Sequence, residues 1–361
     1  MTIKSKVRVL IVDDSMLFRE AIAAALEKDA GIEVVGKAFD AFDARDKIIE
    51  LDPEVLTLDV EMPKMNGIEF LRLLMPQYPL PVVVCSSASG LVFDAMKAGA
   101  VDFVQKPDGV NPNAMKSFMN ELIIKIKIAS TAKVGNAKKD YKPQTSRDHA
   151  DNNKDIVVAI GASTGGTEAI FSVIKNFPRD MQGVVVVQHM PPVFTRMYAE
   201  RLNNSCAMEV IEAKDGDEVR RGRVLIAPGD FQMQLKKSRT GYFVKVFKSE
   251  KVSGHCPSVD VLFNSVAEAA GKNAVGVILT GMGSDGAKGL LEMKNKGALT
   301  IGQDESSCVV YGMPMVAYNI GAVKVQTSLE NVSKVVCDYL RIDEKELGVR
   351  SCRGDLGSAR L

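Results

Sequence analysis

The chain has 361 residues, which is more than one hydrophobic core usually supports and favours two domains. It is 46% hydrophobic and 25% charged, with 46 Lys and Arg residues against 45 Asp and Glu, the balance of an ordinary globular protein. A net charge of +1, the absence of Trp and the lack of a long basic run argue against a nucleic-acid binder.

The six cysteines form no C-x-x-C pair, so the sequence predicts neither a zinc site nor a disulfide framework. The N-terminus passes from polar and basic residues directly into a strand-like run, without the apolar segment of a signal peptide. No apolar run approaches the ~20 residues of a membrane span. We therefore expect a cytoplasmic protein with no direct membrane insertion.

Short β-branched runs alternate with helical patterns from Val7 onward. The predicted strands are residues 7–12, 34–38, 55–59, 82–85 and 102–104, with amphipathic helices at 15–28, capped by Ser15, and at 41–51. This repetition predicts a doubly wound parallel sheet within residues 1–129, whose functional residues lie at the carboxyl ends of the strands.

The stretch 130–153 is polar and lacks apolar periodicity, so we predict a linker. The βα rhythm then resumes, with strands predicted at 156–160, 183–188, 223–227, 274–279 and 298–301, and a hairpin formed by 231–237 and 242–247. We predict a second doubly wound α/β domain at 154–342, Rossmann-like with an added β-hairpin. Residues 343–361 are predicted to form a flexible tail.

Acidic side chains cluster at the strand ends of the first domain. Asp13 and Asp14 follow the first strand and Asp59 ends the third, while Ser86 and Lys106 end the fourth and fifth. Acidic residues after strands can simply cap helices, but capping does not explain matched positions at four strand ends. Oxygen ligands of this kind suit Mg²⁺. The pattern predicts a carboxylate that accepts a phosphoryl group, with Mg²⁺ and Lys106 neutralising the developing charge.

Together with Met62-Pro63, Gly67 and Lys106-Pro107, these residues resemble a flavodoxin-like response-regulator receiver domain over residues 5–127. The resemblance implies that a histidine kinase is the partner and that Asp59 is the phosphorylation site. It also implies a set of metal and switch positions: Asp13, Asp14, Asp59 and the main chain near Glu61 for Mg²⁺, and Ser86, Phe103 and Lys106 for the response to phosphorylation.

A glycine-rich turn, Gly-Ala-Ser-Thr-Gly-Gly at 161–166, follows a predicted strand and opens a helical run. Such a turn exposes Ser163 at the sheet edge and directs helix N–H groups outward, where they stabilise negative charge. A tight loop or a dinucleotide phosphate site would explain the glycines as well. The second alternative is weakened because Ser163 replaces the middle glycine of G-x-G-x-x-G and no clear ribose-binding acid ends the next strand.

His189 ends the next predicted strand, where it can act as general base for Ser163. Of the remaining histidines, His149 lies in the predicted linker and His255 in a Gly-His-Cys-Pro loop, where a contact with substrate stays open. Because the two residues end neighbouring predicted strands, Ser163 and His189 are the predicted nucleophile and general base.

The third member of the predicted triad is a carboxylate that orients the imidazole. Asp285 is favoured because it follows the predicted strand 274–279 at the corresponding sheet edge. Asp260, which reads as part of an amphipathic helix, and Asp304, between polar loop residues, are the alternatives. The order Ser, His, Asp differs from that of the α/β-hydrolases, so the turn does not indicate a lipase.

The second domain resembles the catalytic domain of the chemotaxis protein-glutamate methylesterases. The matching motifs are GASTGG at 161–166, QHMPP at 188–192, FTR at 194–196, APGD at 227–230, His255 with PSVD at 257–260, GMGSDG at 281–286 and YGMP at 311–314. The resemblance implies Ser163 as nucleophile, His189 as general base and Asp285 as its partner. It also implies an oxyanion-hole N–H from Met282 and leaves Thr164, Arg196 and His255 as candidate substrate contacts.

The resemblance implies hydrolysis of glutamate γ-methyl esters on the cytoplasmic domains of chemoreceptors, without a cofactor for that reaction, and deamidation of receptor glutamines. Phosphorylation of the first domain would uncover the catalytic edge of the second. Three positions depart from the family pattern, since Gln232, Cys256 and Met315 stand where histidine, arginine and arginine are common. These lie outside the triad and are expected to bear on substrate affinity.

Two other functions stay open from the sequence. One is a non-catalytic response regulator whose second domain binds a partner or a nucleotide, although no triad member is missing. The other is an esterase of small metabolites, which a requirement for a protein substrate would exclude.

Overall fold

The computed structural model describes residues 6–87, 89–107, 109, 111–134 and 156–340. Most of the predicted linker, with His149, and all of the predicted tail lie outside the described residues. Within the described ranges, no helix has both the length and the apolar character needed to cross a membrane.

The N-terminal domain is built on a five-stranded parallel sheet of order β2-β1-β3-β4-β5. Its strands are β1 (Val7–Val12), β2 (Ile32–Ala38), β3 (Val55–Asp59), β4 (Val82–Ser86) and β5 (Asp102–Gln105). Its α-helices are α1 (Met16–Leu26), α2 (Ala41–Leu51), α3 (Gly67–Gln77), α4 (Val92–Lys97) and α5 (Pro112–Ala129). The predicted doubly wound sheet is confirmed, and its order is the flavodoxin-like one.

Local sequence explains where these elements start. Ser15 accepts a hydrogen bond from the main-chain N–H of Phe18 at 3.3 Å and caps α1, as predicted. Every residue of β3 and β4 is buried. Continuous apolar strands of this kind are expected where helices cover both faces of a parallel sheet.

The C-terminal domain is built on a seven-stranded parallel sheet of order β15-β14-β13-β6-β7-β10-β8. Its strands are β6 (Val157–Ala162), β7 (Val184–Gln188), β8 (Glu209–Glu212), β10 (Arg223–Ile226), β13 (Ala274–Ile278), β14 (Leu299–Gln303) and β15 (Val325–Thr327). Its helices are α6 (Gly166–Ile174), α7 (Phe194–Ser205), α8 (Val259–Ala270), α9 (Ala287–Asn295), α10 (Met313–Asn319) and α11 (Leu329–Leu340). The second doubly wound domain is therefore confirmed.

The predicted hairpin is also present. Strands β11 (Gln232–Lys237) and β12 (Tyr242–Phe247) pair antiparallel, and the two-residue β9 (Glu218–Val219) extends them into a three-stranded sheet. This small sheet packs against α8, so it supports the segment that leads into that helix.

The two domains pack against each other through aromatic side chains. Phe103 of β5 lies 4.7 Å from Phe194 at the start of α7, measured between ring centroids. Phe93 of α4 stacks on Tyr198 of α7 with centroids 5.6 Å apart. Lys133, four residues after α5, also forms a 2.9 Å ion pair with Glu305. We call this packing the closed arrangement.

Candidate active site

Three adjacent strands of the seven-stranded sheet carry the predicted triad. β6 lies between β13 and β7, and the chain leaves these strands toward Ser163, Asp285 and His189 respectively. Since all three strands are parallel, their carboxyl ends meet at one sheet edge. The topology thus brings together residues that are far apart in sequence.

The turn that carries Ser163 is held at both ends. The N–H of Ser163 donates to the carbonyl of Thr280 at 3.0 Å, and the N–H of Gly166 donates to the carbonyl of Ser163 at 2.7 Å. Gly165 has φ +75°, a backbone conformation that favours glycine. At Gly281, an added Cβ would lie 2.7 Å from the Cβ of Ser163, so this position requires glycine for close approach. Ser163 itself is half-buried at the sheet edge.

His189 and Asp285 form the predicted pair. Nε2 of His189 lies 2.8 Å from Oδ2 of Asp285, and the two side chains are 8% and 1% exposed. Because an ionised carboxylate can only accept, Nε2 donates and Nδ1 is left as the basic nitrogen. Within the described part of the chain, Nδ1 is buried and has no hydrogen-bond partner. Its lone pair is therefore available to accept a proton.

Asp285 receives three further hydrogen bonds from the start of α8. The hydroxyl of Ser258 donates at 2.8 Å, and the main-chain N–H groups of Val259 and Asp260 donate at 2.7 and 3.1 Å. Burial raises the pKa of Asp285, but the hydrogen bonds from His189, Ser258 and Val259 outweigh it and lower the pKa below its ordinary value. The carboxylate therefore stays ionised while buried.

The alternatives to Asp285 lie elsewhere. Asp260 belongs to α8, as predicted, and its carboxylate accepts from the N–H of Gly289 at 2.7 Å. Asp304 accepts hydrogen bonds from Ser306 and Ser307. Neither contact involves His189.

His255 lies beside the base. Its ring stacks on that of His189 with centroids 3.7 Å apart and an interplanar angle of 9°. Burial, together with the neighbouring His189, lowers the pKa of His255 to about 4. His255 is therefore a neutral ring packed against the base near pH 7.

The other candidate residues of the site differ in how deeply they are buried. Thr164 is 5% exposed, and its hydroxyl donates to Oδ2 of Asp102 in the N-terminal domain at 2.7 Å. Arg196 is exposed and lies 3.8 Å from Glu200 on α7. The side chain of Met282 is 45% exposed at the same sheet edge as Ser163. Thr164 is thus the candidate that the N-terminal domain covers directly.

Sequence reasoning missed the residues that support this site. Gln188 donates to the carbonyls of Ser163 and His189 at 2.9 and 3.3 Å, which ties nucleophile and base together. Ser258 was noted only within a motif, although a serine directly before an amphipathic run is a sequence signal for a helix cap. Asp102 left no such signal, because its contact with Thr164 depends on the packing of the domains.

The N-terminal domain brings its three predicted carboxylates together. Asp13, Asp14 and Asp59 each offer an oxygen within 4.8 Å of the others. Lys106 lies 2.7 Å from both Asp13 and Asp59. Since one ammonium group neutralises only one of three carboxylates, this donor set fits a hard divalent cation such as Mg²⁺.

Burial shifts the titration of this cluster. It raises the pKa of Asp59, and the nearby Asp13 carboxylate adds to that effect while Lys106 opposes it. For Lys106, burial lowers the pKa, but Asp59 and Asp13 together raise it above the ordinary value. The lysine therefore stays charged. The main-chain N–H of Glu61 donates to Asp59 at 3.1 Å, which places that segment beside the carboxylates.

The remaining switch candidates connect this cluster to the domain interface. Ser86 is fully buried at the end of β4, and its carbonyl accepts from the N–H of Lys106 at 3.0 Å. Phe103 lies on the neighbouring strand and packs on Phe194, as described above. The predicted switch residues therefore extend from the carboxylates to the other domain.

Comparisons with known proteins match the two halves of the chain to two different family models. Residues 158–336 match the family model for CheB methylesterase, and residues 9–117 match that for the response regulator receiver domain. The chain is 58% identical over 332 residues to protein-glutamate methylesterase/protein-glutamine glutaminase 2 of Syntrophomonas wolfei, covering 92% of this chain and 97% of that one. It is 46% identical to the corresponding Salmonella typhimurium protein, covering 91% and 96%.

A solved structure resembles the second domain. The Thermotoga maritima CheB methylesterase catalytic domain aligns with a TM-score of 0.50 and 38% identity, covering 51% of this chain and 98% of that one. The likeness in structure therefore coincides with the sheet that carries Ser163, His189 and Asp285.

Proposed function

This chain belongs to the protein-glutamate methylesterase/protein-glutamine glutaminase family, and we propose that it hydrolyses glutamate γ-methyl esters on chemoreceptors with Ser163 as nucleophile. The observation that carries the assignment of residues is the 2.8 Å contact between His189 and Asp285, which leaves Nδ1 of the histidine free to act as a base. The domains are proposed to span 1–129 and 154–342, with a linker at 130–153 and a tail at 343–361.

The reaction follows from the roles of these groups. His189 Nδ1 takes the hydroxyl proton as Ser163 Oγ attacks the ester carbonyl, and Asp285 stabilises the imidazolium. The N–H of Met282 and the N-terminus of α6 are proposed to stabilise the developing oxyanion. His189 then gives its proton to the methoxide leaving group, which departs as methanol. In the second half, His189 takes a proton from the water that attacks the acyl-enzyme and returns it to Ser163 Oγ as the glutamate is released. A glutamine differs in its leaving group, ammonia, so the same residues deamidate it.

The closed arrangement is proposed to be the inactive state. Asp102 binds the hydroxyl of Thr164, the residue next to the nucleophile, and the N-terminal domain thereby covers one side of the site. Phosphorylation of Asp59 would disturb Phe103 through the adjoining strands and shift the population toward an open arrangement. The control thus acts on access of the substrate to Ser163.

The carboxylate cluster is proposed to bind Mg²⁺ through Asp13, Asp14, Asp59 and the main chain of Glu61. When bound, the ion supplies positive charge that stabilises phosphoryl transfer to a carboxylate. Lys106 supplies a fixed charge at the same place. We propose no cofactor for ester hydrolysis, because the serine, histidine and aspartate account for the nucleophile and the proton transfers.

The partners are proposed to be a chemotaxis histidine kinase and the methylated cytoplasmic domains of chemoreceptors. Both would require a cytoplasmic location for this enzyme. No contact with nucleic acid is expected, because the net charge is only +1.

The test is methanol release from a methylated receptor fragment by the full chain, with and without Mg²⁺ and acetyl phosphate. We expect release to rise with acetyl phosphate, and Ser163→Ala to abolish it. Equal release by wild type and Ser163→Ala would remove Ser163 as nucleophile. No release by either would favour the non-catalytic response regulator, and hydrolysis of small esters alone would favour a metabolite esterase.

A further inference from the structure

The side chain of Gln232 is buried behind the catalytic site. It lies at the start of β11, in the added antiparallel sheet, and is 1% exposed. Its Oε1 accepts from the main-chain N–H of Ser258 at 2.8 Å. Its Nε2 donates to the carbonyls of His255 and Glu250 at 3.3 and 3.4 Å. One amide group therefore holds both ends of the segment 250–258.

Two residues of this segment, Ser258 and His255, each contact one member of the triad. Ser258 donates its hydroxyl to Asp285 at 2.8 Å and is the N-cap of α8, whose first N–H groups bind the same carboxylate. His255 stacks on His189 at 3.7 Å. A shift of this segment would move the carboxylate that orients the base and also the ring that packs against it.

We propose that Gln232 is a positioning residue of the catalytic site, acting through Ser258 on Asp285 and through His255 on His189. The inference rests on the proposed function. It differs from the expectation that the departure at this position bears on substrate affinity, because Gln232 hydrogen-bonds Ser258 and His255, the residues that contact Asp285 and His189. His255 accordingly serves as packing for the base.

The geometry predicts a particular pattern of kinetic change. Gln232→Met has a similar length but can neither accept from Ser258 nor donate to His255, so the segment loses both attachments. Misplacement of catalytic groups by about 1 Å can cost on the order of 100-fold in rate, and we expect kcat to fall by about 10- to 100-fold. KM should change little, since Gln232 is 1% exposed and cannot itself contact the substrate. Gln232→His should recover part of the loss, because a neutral imidazole offers one acceptor and one donor.

The experiment uses the full chain treated with Mg²⁺ and acetyl phosphate. Methanol release gives kcat and KM, and intact-mass spectrometry gives the rate at which phenylmethylsulfonyl fluoride modifies Ser163. Gln234→Met is the matched control, since Gln234 lies two residues further along β11 and is half-buried. Circular dichroism at the assay temperature checks that each variant is folded.

The expected result is slower modification of Ser163 and lower kcat for Gln232→Met, partial recovery for Gln232→His, and wild-type values for Gln234→Met. Wild-type rates in folded Gln232→Met, or a change in KM alone, would overturn the proposal. A loss that Gln234→Met shares would assign Gln232 to general stability and also overturn it. If wild type itself is not modified at Ser163, the proposed function fails, so the two failures are distinguishable.

Discussion

The hydrogen bond between Thr164 and Asp102 leads to a prediction about basal activity. The carboxylate of Asp102 accepts from Thr164 at 2.7 Å across the domain interface and from Lys125 at 2.9 Å within its own domain. Asp102→Ala removes the carboxylate that accepts the hydrogen bond from the Thr164 hydroxyl. We expect this variant to populate the open arrangement without phosphorylation.

The magnitude follows from the chemistry of the contact. A hydrogen bond to a charged acceptor contributes about 1.5–3 kcal/mol. Thr164 is 5% exposed and the Asp102 side chain 14%, so water screens the contact little. At 1.4 kcal/mol per factor of ten, the ratio of open to closed molecules rises by roughly 10- to 150-fold. Methanol release by the unphosphorylated chain should rise by the same factor until the open form predominates.

Basal methanol release from a methylated receptor fragment is the assay. Asp102→Asn keeps a neutral acceptor and should give a smaller rise than Asp102→Ala. Asp29→Ala is the control, because Asp29 pairs with Lys127 at 2.7 Å inside the N-terminal domain and does not contact Thr164. A basal rate equal to wild type in folded Asp102→Ala, with normal activity after acetyl phosphate, would refute this account of the closed arrangement.

Asp59→Asn should abolish the rise in methanol release with acetyl phosphate; a retained rise would move the phosphorylation site elsewhere. Ser258→Ala should lower the free energy of unfolding by about 2 kcal/mol, through loss of a cap and of a hydrogen bond to Asp285. In urea titrations, wild type and Ser258→Ala should show the whole difference in free energy of unfolding above about pH 3.9, the pKa of an aspartate in the unfolded chain. The difference should shrink as pH falls through the lowered pKa of Asp285 in the folded protein. His255, with its pKa near 4, should stay neutral at pH 5.5 in an NMR titration, and a midpoint near 6.5 would contradict the stacked environment. The free energy of unfolding should fall as pH drops from 6.5 toward 4, because only the unfolded chain binds a proton at His255 in that range. Val193 is 53% exposed and has φ +73°, a backbone conformation that strains any residue except glycine. Val193→Gly should therefore stabilise the protein by about 1 kcal/mol in thermal unfolding, whereas Val193→Ala should not.

Much of the fold could be predicted because its buried strands are continuous β-branched runs. Strand β1 (Val7–Val12) and the hairpin strand β12 (Tyr242–Phe247) have the predicted bounds. Strands β9 and β15 were not predicted, since two and three residues are too few to show a period, and β8 has only two apolar residues, Val210 and Ile211, between two glutamates. Their pairing depends on neighbours that are distant in sequence.

The candidate site was predictable to the extent that parallel strands share one edge. Ser163, His189 and Asp285 follow three strands that prove to be adjacent, and the contact between the last two was expected from that rule. The supporting contacts were not predictable. Gln232 lies near the site only because the hairpin packs on α8. Asp102 contacts Thr164 only because the N-terminal domain packs against the C-terminal one.

The carboxylate that Asp102 presents to Thr164 has a chemical counterpart in the reaction. Ester hydrolysis converts the substrate side chain into a carboxylate beside Ser163, and in the closed arrangement a carboxylate already lies on the neighbouring hydroxyl. The Asp102 carboxylate thus resembles the product, and because it belongs to the same chain its effective concentration at this site is on the order of millimolar. We expect the unphosphorylated enzyme to be insensitive to added demethylated receptor, and competition by that product to emerge once phosphorylation withdraws the internal carboxylate.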